Sequence, residues 1–456
     1  MTDGTVVFAD SNTNVWWRLT PDEFGGYEHG TWDRLKDGPS DYAPLYYGSA
    51  TLPDGRLVVE GGEYNFGSAV WTTKGAIYDP VANTWTKILP PALFPRIGDA
   101  SSVVLDDNSF MLTDCCDTTA MAILDPVSLT WETPVGDGKA GATHDEESWA
   151  KLRDGRIHTT DANNVVNLKH AEIYDPKTRH WSAAADSPVK LCDTNADNSG
   201  SHEVGPELLR LDGKVVAIGA TGHNALYDPE SDTWATLPDF PEATYQSADG
   251  PGAVLPNGDI LVAVSPGVFQ QPTHWYELHD ATFTHLMDEP ENAPFNASFS
   301  NFLIVLPTGE VLLSDFSTRV ELYTPAAGFP EEIRPVIIAA PQLVGQHAEP
   351  STAPITTLYR GRSYTVPVKR MNGVSFGAYY GDDAQVSTNF PLVRVTNTET
   401  GHVKYCRTYG HSDRSISPDE IGTTVLDIPA TAEPGLSTFE VVANGIPSPA
   451  ITVNIK

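Results

Sequence analysis

Six times in this chain two short apolar runs meet at a tight turn: "ATLPDGRLVVEGG", "VVLDDNSFMLTD", "AKLRDGRIHTTD", "LLRLDGKVVAIGA", "AVLPNGDILVAV" and "IVLPTGEVLLSD". The opening "TDGTVVFAD" supplies the second half of one more. The turns close at Gly4, Gly55, Asn108, Gly155, Gly213, Gly258 and Gly309, spaced from 45 residues (Gly213 to Gly258) to 58 (Gly155 to Gly213). A weaker block follows several of them: "AIYDPVANTW", "AILDPVSLTW", "EIYDPKTRHW" and "ALYDPESDTW" end at Trp85, Trp131, Trp181 and Trp234, and Trp32 closes the first copy. A repeat of this length, with Asp-Gly or Asn-Gly between apolar runs, reads as a four-stranded antiparallel unit. The turn joins strands a and b, Tyr-Asp-Pro ends c, and the Trp lies in d. One such sheet cannot bury both faces alone, so the copies must stack around an axis.

The expectation is an all-β chain whose residues 1–334 form a seven-bladed, kelch-type β-propeller, with the Trp side chains packed between blades. The first copy lacks its strand a. Either a later segment closes the ring, or the natural chain starts upstream of Met1. After "VELYTPAAGFPEEIRPVIIAAP" the period is lost. "SYTVPVK", "LVRVTN", "HVKYCRT", "TTVLDIP", "STFEVVANG" and "ITVNIK" then read as short strands, and residues 335–456 are expected to form an Ig-like β-sandwich.

Composition narrows the partners. With 28 basic and 60 acidic residues the formal charge is −32, which argues against nucleic acid and anionic membranes. No apolar run approaches the roughly 20 residues of a spanning helix. Four cysteines in 456 residues are no disulfide framework, and adjacent Cys115 and Cys116 are expected as two free thiols. The strand-like "TVVFAD" stands almost at Met1. That leaves a cytoplasmic protein or a mature chain without its leader; the secreted or periplasmic alternative is preferred, as a monomer.

In a four-stranded blade, the entry to strand a and the exit from strand b lie on the same face. Polar residues cluster at both places. Before strand a come Tyr46 and Tyr47, Asp99, the run His144, Asp145, Glu146 and Glu147, then His202 and Glu203, Asp249, and Ser300 with Asn301. After strand b come Glu63, Tyr64 and Asn65, Asp114 and Asp117, Asp161 and Asn163, His223 and Asn224, Ser265 and Asp315. A ring of carboxylates at one mouth repels itself unless protons, water or a cation relieve it. Asp99, Asp145, Glu146 and Asp249 are the expected ligands of a hard divalent cation, Ca²⁺ first, then Mn²⁺ or Mg²⁺. Strand alternation sends Asp145 and Glu147 one way, His144 and Glu146 the other.

The propeller-plus-sandwich order resembles the galactose oxidase and glyoxal oxidase family, and "RPVIIAAP" resembles the start of its C-terminal early-set domain. "EGGEYNFG", "GATGHNA" and "VVANGIPS" are similar to bacterial kelch-repeat proteins. The resemblance implies a copper site with a Cys–Tyr radical pair, a Tyr-His pair and a sandwich His. At the matching places stand Tyr46 (for Cys), Asp99 (for Tyr) and Phe299 with Ser300 (for Tyr-His). Only His411, in "YCRTYGHSDRS", matches a family ligand. Copper is therefore not expected. If the His411 loop rises along the axis as in that family, Arg414 enters the channel as an anion-binding group.

The favoured reading is a carbohydrate-active hydrolase or lyase. Its catalytic candidates are Tyr46, Glu146, His202, Glu203, His223, Asp249 and His411, with Tyr47, Asn224 and Arg414 binding substrate. Paired carboxylates serve as acid and base in glycoside cleavage. The alternatives are a non-catalytic glycan-binding propeller, in which Trp16, Trp17, Tyr46 and Tyr47 stack on sugars, a diverged oxidase, and a protein-interaction scaffold.

Overall fold

A computed structural model describes residues 1–288, 292–345, 356–379 and 388–456. Sheets follow one another along the chain. The first joins Val6–Ala9, Trp16–Thr20 and Thr31–Arg34, and the second joins Gly48–Thr51, Leu57–Glu60, Gly75–Asp79 and Thr84–Ile88. The third, fourth and fifth have four strands each in chain order, opening with Ser102–Val104, Trp149–Lys151 and Glu207–Leu209. The sixth runs Gly252–Val254, Ile260–Val264, His274–His279 and Thr282–His285, and the next runs Phe302–Val305, Val311–Ser314 and Val320–Tyr323. Pairing inside all of them is antiparallel, and from the second sheet onward each opening strand touches the opening strand of the sheet after it. The series closes on itself: Val6, Leu19 and Tyr27 of the first sheet pack with Leu306 and Leu312 of the last.

Local chemistry explains the repeat. Every a–b turn residue has a left-handed backbone, from φ 71° at Asn108 to 98° at Gly258, which Gly and Asn tolerate best. The Asp of each Tyr-Asp-Pro caps the c–d hairpin: Asp79 Oδ1 accepts from Val81 N at 2.8 Å, and Asp175 Oδ1 from Lys177 N at 2.8 Å. Three of the Trp residues join neighbours, whereas Trp32 is exposed and packs on Phe8 of its own sheet. Trp85 Nε1 donates to Lys36 O at 3.0 Å, Trp131 Nε1 to Leu89 O at 2.8 Å and Trp234 Nε1 to Ala185 O at 2.7 Å, each reaching the segment after the preceding sheet. The first sheet lacks an inner strand, as the sequence suggests. Among the described residues Val6–Ala9 pairs only with Trp16–Thr20, and a cavity of about 760 Å³ lies between it, Tyr46 and Phe302.

The C-terminal strands fall where the sequence puts them, at Ser363–Lys369, Leu392–Asn397, Val403–Cys406, Ile421–Asp427, Gly435–Ala443 and Ile451–Ile455. They form two sheets around Val366, Val393, Phe439 and Val453. These sheets cover the turn face. A Cβ on Gly4 would lie 2.6 Å from Tyr405 Cγ, and one on Gly445 would lie 2.7 Å from Gly309 Cα. Ala378–Tyr379 crosses over and pairs with Gly252–Val254 of the sixth sheet. The opposite face, where the inner strands begin, carries the polar residues.

Candidate functional site: an acidic mouth

Tyr46, Asp99, Glu146, Val204, Asp249 and Ser300 each stand nine residues before their turn residue, at the entry to an inner strand. Three of them have left-handed backbones although they are not glycine: φ is 53° at Tyr46, 57° at Glu146 and 49° at Asp249. Such conformations cost energy and persist where surrounding structure enforces them. Here the twist turns each side chain toward its counterparts on the neighbouring sheets.

Carboxyl groups converge at the mouth, but not as the four expected cation ligands: Glu203 joins Glu146 and Asp249, while Asp99 lies with Cys115 and Cys116. Oxygen atoms of Glu146, Glu203 and Asp249 all lie within 4.8 Å of one another, a spacing that the donors of one divalent cation can adopt. A side-chain hydrogen bond joins Glu203 and Asp249. Burial pushes Asp249 up to about 6, partly offset by that bond and reinforced by Asp193 and Asp145. Glu63 rises to about 7, from burial first and then from the charges of Asp249 and Asp145, while the Tyr64 side chain bonds it and offsets part of the rise. Asp99, buried, is held well above the ordinary carboxylate range by burial, Glu63 and Asp145. Asp145 is raised by burial and moderated by His202. His202, with φ 70°, has its Nδ1 shielded from solvent without a hydrogen-bond partner among the described residues. Tyr46 forms the aromatic side, edge-on to Tyr64 at 6.1 Å and stacked on Phe302 at 6.3 Å.

The run at 144–147 is not a strand but a turn, and this corrects the alternation expected for it. The left-handed Glu146 breaks the period of two. Asp145 and Glu146 therefore face the mouth, while His144 and Glu147 pair with each other inside the protein, Nδ1 to Oε2 at 3.0 Å. Glu147 joins a fully buried network centred on Lys139, whose Nζ is 2.8 Å from Glu147 Oε1 and 3.1 Å from Asp161 Oδ2 and also bonds Glu172.

Several other candidates sit elsewhere. Tyr47 is half-buried and packs on Trp16 of the first sheet, ring centroids 6.2 Å apart. Asn224 is buried and spends its amide on Gly219 N, Gly222 O and Pro238 O, holding its own loop. His223 lies exposed on the rim, its Nδ1 2.9 Å from Asp239 Oδ1. The His411 loop does enter the axis, but from the turn side. Arg414 donates to Asn389 O at 3.1 Å and to Thr51 O, at the far end of an inner strand. Lys151 Nζ bonds Arg414 O at 2.9 Å and Val104 O at 3.0 Å at the same level. Asn108, a turn residue, donates to His411 O at 3.1 Å. His411 and Arg414 thus form the buried floor of the channel. Burial, with Arg414 and Arg407 nearby, drives His411 well below its ordinary pKa and leaves it neutral.

Two features escape sequence reasoning. Cys115 and Cys116 form a disulfide with each other, not two free thiols, and Cys116 Sγ lies 4.0 Å from Asp99 Oδ1. Arg96 lies over the Trp71 ring at 5.5 Å, binds Asp117 at 3.1 Å and acts electrostatically on Asp145. No motif marks it.

The fold and the site define an all-β protein of the propeller type with an acidic mouth at its axis. Two similar solved structures show how far the likeness extends. A fungal alcohol oxidase of the AA5 family, described as catalytically diverse and solved in complex with copper, aligns over 100% of this chain and 97% of its own at 12% identity and a TM-score of 0.49. YCF48 bound to a D1 peptide aligns over 72% of this chain and 94% of its own at 14% identity and a TM-score of 0.44. No protein-family model matches the chain, and no curated protein matches its sequence.

Proposed function

We propose that this chain is a carbohydrate-active hydrolase or lyase that works by acid–base chemistry at the mouth. The observation that carries this reading is the meeting of Glu146, Glu203 and Asp249, whose carboxyl oxygens all lie within 4.8 Å of one another. Cleavage of a glycosidic bond needs one carboxylic acid to protonate the leaving oxygen and one carboxylate to act as base or nucleophile. Neighbouring carboxyls whose pKa values are pushed apart supply both at neutral pH. Within this group one carboxyl gives a proton and another accepts one; in a lyase His202 is the base. Tyr64 offers a ring to a sugar with the buried Tyr46 packed edge-on behind it, and Arg96 offers a cation to a uronate. Glu146, Glu203 and Asp249, with Asp145 and Asp99 beside them, are also the proposed ligands of Ca²⁺, Mn²⁺ or Mg²⁺. In this reading the sheets of residues 1–334 are seven kelch-type blades, residues 335–456 are an Ig-like early-set sandwich, and the chain acts as a monomer outside the cytoplasm.

The test is a panel of neutral and acidic polysaccharides with each cation added, read by new reducing ends and by unsaturated uronate ends. Reducing ends alone mean hydrolysis; both products mean elimination. Asp249→Asn should lower turnover by about 100-fold or more, the usual weight of a general acid. Polysaccharide binding without either product would replace the enzyme with a glycan-binding propeller.

A second reading is a diverged oxidoreductase, which the alcohol oxidase's description suggests. At 12% identity and a TM-score of 0.49 that likeness does not reach the chemistry. The donor set here does not fit a copper-radical centre: Tyr46, Asp99 and Ser300 stand at the matching entries, and His411 lies at the floor, on the far side from Glu146. Peroxide release from alcohols by the copper-loaded chain would favour this reading over the first.

A further inference from the structure

A different ligand set occurs on the outer edge of the sixth sheet. His274 opens His274–His279, His285 closes the adjoining strand Thr282–His285, and Asp288 follows. The register pairs Tyr276 with His285, so the start of one strand meets the end of the other. Ligand atoms of His274, His285 and Asp288 all lie within 4.8 Å of one another. Asp288 Oδ2 is 2.7 Å from His274 Nδ1, and its Oδ1 is 3.0 Å from His285 Nε2.

Each of the three is held in place by a further group. Trp275 N donates to Asp288 Oδ1 at 3.1 Å. The Tyr276 ring stacks on His285, centroids 4.9 Å apart and planes 22° apart. The Tyr245 ring stacks on His274 at 4.8 Å and 13°, with its hydroxyl 2.9 Å from His274 Nε2. The strand ends concerned lie on the same face as Asp249, but on the outer strands rather than at the axis.

We propose that His274, His285 and Asp288 bind one divalent cation of the zinc class. Two imidazoles and one carboxylate are a zinc donor set that leaves a position for water, and nitrogen donors favour Zn²⁺ over the hard cations suited to the carboxylate mouth. Without an ion, Asp288 accepts an N–H from each imidazole. The ion binds His274 Nδ1, His285 Nε2 and an Asp288 oxygen, and each neutral imidazole keeps its single proton by moving it to the other ring nitrogen, Nε2 in His274 and Nδ1 in His285. His274 Nε2–H then donates to the Tyr245 oxygen. A phenol hydroxyl can donate or accept, so Tyr245 fixes the ring in both states. Such an outer partner orients a ligating histidine and raises its affinity.

The test is a titration of the full, EDTA-treated chain with Co²⁺, a coloured stand-in for zinc, followed by displacement with Zn²⁺. The wild-type chain should develop the intense visible band of tetrahedral cobalt at one equivalent and lose it to one equivalent of zinc. His285→Ala should abolish the band; that side chain is 45% exposed, so its loss leaves the fold intact. His285→Gln serves as a second variant with the ring's bulk largely kept. Tyr245→Phe should weaken zinc binding by about 10-fold, as loss of an outer hydrogen bond does. Asp249→Asn, which alters the mouth, should leave the band unchanged. A wild-type chain with no band, or a band that survives in both His285 variants, overturns the proposal and leaves a hydrogen-bonded triad.

Discussion

Glu203 and Asp249 hydrogen-bond carboxyl to carboxyl where the fifth and sixth sheets meet, and Glu146 of the fourth sheet completes the group. Three successive sheets thus deliver an acid to one point. Two carboxylates this close cannot both ionise cheaply, so they share a proton or a cation. The left-handed backbones of Glu146 and Asp249 are part of the same arrangement, because an ordinary strand entry would send these side chains elsewhere.

The mouth should make stability fall with rising pH. Glu63 has its pKa raised from 4.5 to about 7, so the folded state binds this proton more tightly than the unfolded chain. Its contribution is fully present below about pH 4.5 and is lost as the pH rises through about 7. Glu63 is half-buried, and after allowance for solvent screening the effect is about 1–2 kcal/mol. In EDTA, Glu63→Gln should be more stable than wild type at pH 8 by that amount and no more stable at pH 4. Calorimetric melts at both pH values check this; equal melting differences at the two would contradict it.

Lys139 should be essential to the fold. It is the only cation within salt-bridge distance of Glu147 and Asp161 among the described residues, apart from His144 at Glu147. Lys139→Met keeps the length of the side chain and leaves three buried carboxylates without their ammonium. Breaking a buried pair in this way costs about 3–5 kcal/mol. Urea unfolding at pH 7 should show it. A loss under about 1 kcal/mol would mean that the carboxylates are protonated or that water reaches them.

Much of this was legible in the sequence. The Asp-Gly and Asn-Gly turns set the strand boundaries, and counting back from them finds Asp99, Glu146 and Asp249 at the axis. What sequence could not show was direction and depth. The twist at Glu146 exchanges the partners within His144–Glu147, and no residue type announces a left-handed glutamate. The loop after Tyr409 reaches the axis, but its depth depends on packing between sheets far apart in the chain: Arg414 meets Thr51 and Lys151 at the floor. No motif marks Lys139: besides Glu147, its partners lie 22 residues on at Asp161 and 33 on at Glu172, joined only once the fourth sheet forms.

Arg414 at the floor gives a direct contrast with the role its sequence context suggests. Arg414→Ala should cost about 2–4 kcal/mol, since Thr51 O and Asn389 O lose a charged donor in a buried site. Polysaccharide binding at the mouth should be unchanged. The reverse result, weakened binding with unaltered melting, would place Arg414 against substrate instead.

Central to the proposed chemistry is a carboxylic acid at the mouth that keeps its proton to a higher pH than an ordinary carboxyl group does. Infrared difference spectra of the ¹³C-aspartate-labelled, EDTA-treated chain test this most directly. They should show a protonated aspartate that titrates at about pH 6 and is missing from Asp249→Asn. If the wild-type and Asp249→Asn spectra match through this range, Asp249 ionises like an ordinary surface carboxylate, and the mouth has no shared proton with which to begin the chemistry.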